Sequence, residues 1–397
     1  HRLQLGNVGM EIKKKDGTHA DASDIKDIDQ KLDLWTGIIH SKFTVEGEPV
    51  EVFTACDDQQ EAVAFRIISP LLNQHRISVR LLFPYPNGQF KDVGNLWVNN
   101  ELHQSVPLAL REFGLQINRR IDSTTYRVNA FWTGNTRWTQ DGPHYFALSP
   151  YLVKNNTWDL TVNFCQMTKK EIGGFPMISG HSTSFWKRFW NSGGAVDFSG
   201  STDPRAFELE RRVILSQYLT RIQCASAYPP QETGLTYNSW YGKPHIEMHW
   251  WHAAHYAQWG RPQLLERSLD WYFKVADKAR AIAKRQGFDG LRWQKMTDHS
   301  GEETPSSVGA FLIWQQPHFI YMAEQLYRQK RDPAVLKKYS KLLFETAEFM
   351  ASFPTKDPVT QKYNLGKGLI PAQECFDAVS TFNPTYELSY WSWALEM

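Results

Sequence analysis

The pattern of apolar and polar positions changes character near residue 200. Before it, short alternating or β-branched runs recur at 35–39, 42–45, 50–54, 62–68, 77–83, 126–132, 144–148 and 158–164. Turn residues such as Glu46-Gly47, Cys56-Asp57-Asp58 and the stretch 84–88 separate them. Many short strands with no long helical period between them predict a β-sandwich over residues 1–200. Its expected role is structural support, with a loop reaching the neighbouring domain. Gly- and Ser-rich pieces follow, and 185–190, full of aromatics, reads as a short packed turn or helix.

Asp203 is the expected N-cap ahead of Pro204, opening a linker helix over 204–225 within a connecting segment 201–230. Residues 231–397 then read as helical. A helix over 245–259 follows Gly242 and Pro244 and is stopped by Gly260-Arg261-Pro262. Further helices are predicted over 264–286, ending at Gly287, over 307–329, over 333–352 behind Asp332, and from about Thr385 onward. Helix pairs without a fixed-length repeat suggest hairpins arranged in a solenoid or toroid. The last helical pattern is uncapped at Met397, so the chain is expected to hold the N-terminal part of that domain.

Composition narrows the function. With 42% hydrophobic and 22% charged residues, the 397-residue chain reads as folded. A net charge of +2 gives no push toward nucleic acid or an anionic membrane surface. No apolar run reaches the roughly 18 residues needed to span a bilayer. Four scattered cysteines match neither a disulfide scaffold nor a zinc spacing. Aromatic residues stand out at 14%, with sixteen Trp. That count fits a protein that binds flat ligands.

The densest chemistry lies at 235–261, where Trp240, Trp250, Trp251 and Trp259 accompany His245, His249, His252, His255 and Glu247. Flat aromatic faces beside hydrogen-bonding groups suit a sugar. An aromatic core helix with internally satisfied histidines fits the same residues. The histidine spacing raises a metal, but H-E-x-x-H is absent and no metal site is assigned. Without G-x-S-x-G, G-x-G-x-x-G or a Walker loop, a serine nucleophile and a nucleotide cofactor are not expected, and no cofactor is assigned. Glycoside cleavage needs an acid beside the leaving oxygen and a second carboxylate, or a phosphate, for the nucleophile. Asp298, Glu302, Glu303, Glu374 and Asp377, in two irregular loops, are candidates together with Glu247. The first three read equally well as loop caps or solvated charges.

Three segments resemble the clan of inverting (α/α)6-barrel glycosidases and disaccharide phosphorylases, above all the maltose/trehalose/kojibiose phosphorylase family and the related bacterial six-hairpin glycosidases. They are Gly242-Lys243-Pro244-His245-Ile246-Glu247, Gly290-Leu291-Arg292-Trp293 with Gly301-Glu302-Glu303, and 370–376 with 383–387. The resemblance implies a β-sandwich, a linker helix and an (α/α)6 toroid. It implies Glu374 as general acid and Glu247 as the carboxylate of the innermost sugar subsite. Trp240, His245, His249, Trp250, Arg292, Trp293, Glu302, Gln315 and Gln316 would complete the substrate site. Two departures stand out: Ile246-Glu247-Met248-His249 replaces Trp-Asp-Thr-Glu, and Gln373 replaces the Asp before the acid. The implied activity is inverting hydrolysis of an α-linked glycoside. Phosphorolysis, or sugar binding without turnover, remains open, and the catalytic base is expected beyond Met397. The expected partner is an oligosaccharide or glycoside, homodimerisation is left open, and a periplasmic or secreted bacterial location is expected over a cytoplasmic one.

Overall fold

In the computed structural model, which describes residues 2–110, 114–166 and 172–397, the strands of the first half pair antiparallel in two sheets. The larger runs β2 (Ile25–Asp33), β3 (Ile38–Val45), β4 (Glu48–Cys56), β5 (Ala62–Ile68), β12 (Thr157–Cys165), β9 (Thr124–Trp132), β8 (Gly114–Ile121), β7 (His103–Ala109). The smaller runs β1 (Asn7–Ile12), β6 (Ile77–Leu82), β11 (Tyr145–Tyr151), β10 (Asn135–Gly142). Their apolar faces share one core, where Ile67, Val128, Trp158 and Leu160 cluster with Leu81, Phe146 and Leu148. Burying side chains of this size contributes roughly 1.5–3 kcal/mol each. Strands β2, β7 and β10 escape the sequence pattern because most of their residues are exposed, which leaves little apolar alternation to read.

The aromatic run 185–190 is not a short turn. It lies in a 17-residue helix, α1 (Phe175–Asn191), whose Phe175 and Ile178 pack on the small residues Ala55, Ala62 and Ala64. Gly37, at φ +67, makes room for it: a Cβ there would meet the Trp186 indole at 2.2 Å. Chain contacts define two units, Leu3–Asn87 with Val93–Asn191, and Arg2 and Gly88–Asp92 with Ser192–Met397. The segment Gly88–Asp92 thus belongs to the helical unit although it lies in the β half of the sequence.

The helical unit contains α2 (Ala206–Cys224), α3 (Ile246–Gln258), α4 (Pro262–Arg285), α5 (His318–Lys330), α6 (Pro333–Ser352) and α7 (Thr385–Glu396). Helix α2 starts later than the Asp203 cap predicts. Asp203 instead accepts the Arg205 amide at 2.8 Å and pairs with its guanidinium, which leaves Arg205 at the N-cap. Asp332 does cap α6, accepting from the Ala334 amide at 2.8 Å, and Gly287 at φ +86 follows the end of α4. The helix predicted over 307–329 begins only at His318. Proline restrains the residue before it to extended backbone and cannot donate into a preceding turn, so Pro317 blocks helix on its N-terminal side. Helices α3 to α6 close over Leu269, Tyr272, Phe319, Met322, Leu326 and Tyr339. A sandwich followed by helical hairpins is the architecture that the sequence leads one to expect.

Candidate active site

The chain enters α3 through consecutive left-handed residues, Trp240 at φ 45, Tyr241 at φ 59 and Gly242 at φ +64. Such backbone is costly for side-chain-bearing residues and persists where the surroundings hold it. Here Trp240 lies 4.8 Å from the Phe90 ring and edge-on to His245 at 5.6 Å, while Asp92 and Asn238 exchange backbone hydrogen bonds. His245 is the N-cap residue of α3. The next two amides, of Ile246 and Glu247, both donate to the Lys295 carbonyl, at 2.9 and 3.4 Å. The backbone of Lys295 thus satisfies the open end of the helix, and its side chain reaches back to the same turn.

Lys295 joins two carboxylates. Its Nζ lies 3.2 Å from Glu247 Oε1 and 2.5 Å from Glu374 Oε1. Lys295 and Glu247 are buried, with side chains 5% and 7% exposed, and Glu374 is 35% exposed. On the other side of Glu247, His245 Nε2 lies 3.1 Å from Glu247 Oε1 and 3.6 Å from Glu232 Oε2. Burial pushes the Glu232 carboxyl up, with the nearby His245 acting against it. Glu374 also stands in left-handed backbone, at φ +58. Its loop is anchored by the Ile370 amide on the Phe311 carbonyl at 3.0 Å and by the Ala372 amide on Glu387 Oε1 at 2.8 Å. Glu387 is fully buried, and burial raises its pKa.

The segment 291–297 that presents Lys295 is buried throughout, and several residues expected to bind substrate hold it in place. Gln316 accepts from the Trp293 amide at 2.9 Å and donates to the Leu291 carbonyl at 2.6 Å, as a neighbouring strand would. Gln315 donates to the carbonyls of Trp293 and Leu312. The Trp293 indole donates to Thr346 at 3.0 Å. Arg292 donates to the Ala310 and Leu312 carbonyls under the rings of Phe349 and Phe353. With desolvation dominating, its pKa falls to about 10.

His249 is likewise occupied internally. The Ser268 hydroxyl spends its proton on the Leu265 carbonyl, so it accepts from His249 Nε2 at 2.9 Å, and Tyr272 then donates to Nδ1 at 3.0 Å. Glu302 lies elsewhere, paired with Lys278 at the surface, and Glu303 pairs with Arg285. Asp298 caps its own loop by accepting the Ser300 and Glu302 amides, and Asp377 does the same for Val379 and Ser380.

Trp250 opens onto a cleft of about 540 Å³ lined by Trp251, Trp314, Tyr321, Tyr386, Tyr390 and Trp393. His318 ties this cleft to the acidic cluster. Its Nε2 must donate to the Glu247 carbonyl at 3.0 Å, so Nδ1 accepts from Tyr390 at 3.0 Å. Burial holds the ring neutral and moves its pKa down to about 3. Sequence reasoning missed Lys295, Glu232, Glu387 and most of this aromatic lining. The usable signal for Lys295 was its place in 290–297, between Gly290-Leu291-Arg292-Trp293 and the acidic loop 298–303, where three long polar side chains stand among large apolar ones.

No protein-family profile matches this chain, and no curated protein matches it. Among solved structures it is similar to a candidate kojibiose phosphorylase from the human microbiome, with TM-score 0.71 and 12% identity over 99% of this chain and 55% of that one. It is also similar to a bacterial glucoamylase complexed with acarbose, with TM-score 0.54 and 13% identity over 87% of this chain and 52% of that one. The chain spans about half the length of these structures. What it shares with them is the fold, an N-terminal β-sandwich followed by helical hairpins.

Proposed function

We propose that the helical unit carries a glycoside-cleaving site in which Glu374 is the general acid, and that the reaction is inverting hydrolysis of an α-linked sugar. The observation that carries this reading is the pair of carboxylates, Glu247 and Glu374, bridged by Lys295. The aromatic cleft joined to it through His318 supports a sugar as ligand, as does the shared fold.

In this reading Trp240, His245 and Glu247 hold the sugar, the indole against its C–H face and the polar groups on its hydroxyls. Trp250 and the cleft aromatics offer further stacking faces. Arg292, Trp293, Gln315, Gln316 and His249 act as positioning residues, fixing the backbone that presents Lys295 and Glu247. For Glu374 to protonate the leaving oxygen, its contact with Lys295 must give way to the substrate, and Glu247 keeps the ammonium in place while it does. Inversion then requires water at the opposite face of the ring, activated by a second base.

Glu374→Gln keeps the shape and removes the proton. Turnover of an α-linked disaccharide or aryl glycoside is expected to fall on the order of 10²–10⁴-fold. Near-normal turnover in that variant ends the assignment. Running the assay with and without phosphate separates the chemistries: sugar 1-phosphate as product makes the protein a phosphorylase. Calorimetric binding of the sugar without turnover makes it a binding protein on the same scaffold.

A further inference from the structure

The strongest unassigned feature is the surroundings of His245. Its side chain is 0% exposed, and neither ring nitrogen has a hydrogen-bond partner among the described residues. Yet Nε2 lies 3.1 Å from Glu247 Oε1 and 3.6 Å from Glu232 Oε2. The Glu232 oxygen is just beyond hydrogen-bond distance, and the Glu247 oxygen, within it but unbonded, lies off the N–H direction. That is how ligands sit around a common centre, rather than how a donor meets its acceptor. One atom from each of Glu232, His245 and Glu247 lies within 4.8 Å of the others. We propose that Glu232, His245 and Glu247 form a binding site for a divalent first-row metal ion such as Mn²⁺ or Zn²⁺.

Charge points the same way. Glu232, Glu247 and Glu374 surround a single ammonium, Lys295, and the His245 ring, an excess of acidic groups over lysine. A divalent ion cancels that excess where a buried cluster otherwise bears it. The donor set chooses among ions: imidazole with carboxylates suits Mn²⁺ and Zn²⁺, whereas Ca²⁺ prefers oxygen ligands alone. Three protein ligands leave further positions open, as an ion that meets substrate requires.

An outer layer is already built. The His252 ring donates to the Glu232 carbonyl at 3.0 Å and holds that segment, and the Trp240 ring edges onto His245. The histidine spacing on α3 concealed the site, because the second and third ligands beside His245 are carboxylates, one of them from the preceding loop. The inference adds an ion to a place where the sugar-cleaving reading also uses His245 and Glu247, but its test is separate, since metal binding is measured without turnover.

The test is calorimetry on the 397-residue chain, stripped with EDTA and titrated separately with MnCl₂, ZnCl₂ and CaCl₂. Saturable one-to-one binding of Mn²⁺ or Zn²⁺, weakened at least 10–100-fold in both Glu232→Gln and His245→Gln, is expected. Should His245→Gln fail to fold, the isosteric change at the partly exposed Glu232 decides alone. No binding to the wild type overturns the proposal, as does equal binding to the variants or a preference for Ca²⁺.

Discussion

His245 and His249 stand one turn apart at the start of α3, both fully buried, and their surroundings are opposite. His249 has each nitrogen satisfied, by Ser268 and Tyr272, and burial brings its pKa down to about 3. His245 has neither nitrogen satisfied and two carboxylates beside it. A buried polar group with all its partners is scaffold, while one held without them is either a defect or a site. The β unit repeats the first case. There Arg119 is buried, and its guanidinium donates to Gln104, Ser105, Tyr126, His103 and His144. Burial takes the pKa of His103 down to about 4.

The scaffold side of this comparison makes the largest prediction. His249 and His318 both have folded pKa values of about 3, below the 6.5 of the free ring. Between those values the unfolded chain binds more protons. Stability from these rings is therefore fully present above pH 6.5 and is lost as pH falls toward 3. Each ring loses about 1.4 kcal/mol for every pH unit below 6.5, so the two together are expected to cost roughly 3 kcal/mol between pH 7.5 and 5.5. Urea unfolding at the two values measures it. A flat profile would mean that these rings are not held neutral, and the contrast with His245 would collapse.

The direct comparison comes next in size. His249→Ala leaves a cavity and strips partners from Ser268 and Tyr272, so a loss of about 2–4 kcal/mol is expected. His245→Gln removes no hydrogen bond, and its stability is expected to change by less than about 1 kcal/mol. Equal losses in denaturant melts would place both rings in the scaffold.

The same logic explains what was legible in the sequence. Strands β5, β6, β9 and β12 show because they are largely buried and rich in Val, Ile and aromatics, whereas β2, β7 and β10 show their backbone pairing and little else. The stretch 307–317 has helical apolar spacing, yet its backbone is set by Pro317 and by the demand of segment 291–297 for the Gln315 and Gln316 amides. In the site, Glu247 stands out as a carboxylate among aromatics and Glu374 as one behind an otherwise apolar run. The link between them does not, because Lys295 and Glu374 are 79 residues apart. Arg292, Trp293, Gln315 and Gln316 look like ligand-binding types but spend their polar atoms on backbone. Residue type reports what a side chain can bond; only the fold reports whether that capacity is already used.

Glu387 tests that distinction at its finest. In sequence it is an acidic residue in the first turn of α7, where a carboxylate ordinarily faces solvent and the helix dipole. In the fold it is 0% exposed, with Oε1 accepting the Ala372 amide while Oε2 has no hydrogen-bond partner among the described residues. Glu387→Leu leaves that amide without its acceptor, and a loss of about 1–3 kcal/mol is expected, with faster hydrogen exchange at Ala372. Glu387→Gln keeps the acceptor and removes the titration. Because burial raises the Glu387 pKa, the native carboxyl favours its neutral form. The wild type is fully stabilised below the unfolded value and loses ground as pH rises through the folded one. The Gln variant should therefore gain on the wild type between pH 4 and 8 by a small margin, read as a growing difference in urea midpoint. A difference that shrinks instead would identify Glu387 as an ionised acceptor, fully used like His249 and no part of the unsatisfied chemistry around Glu374.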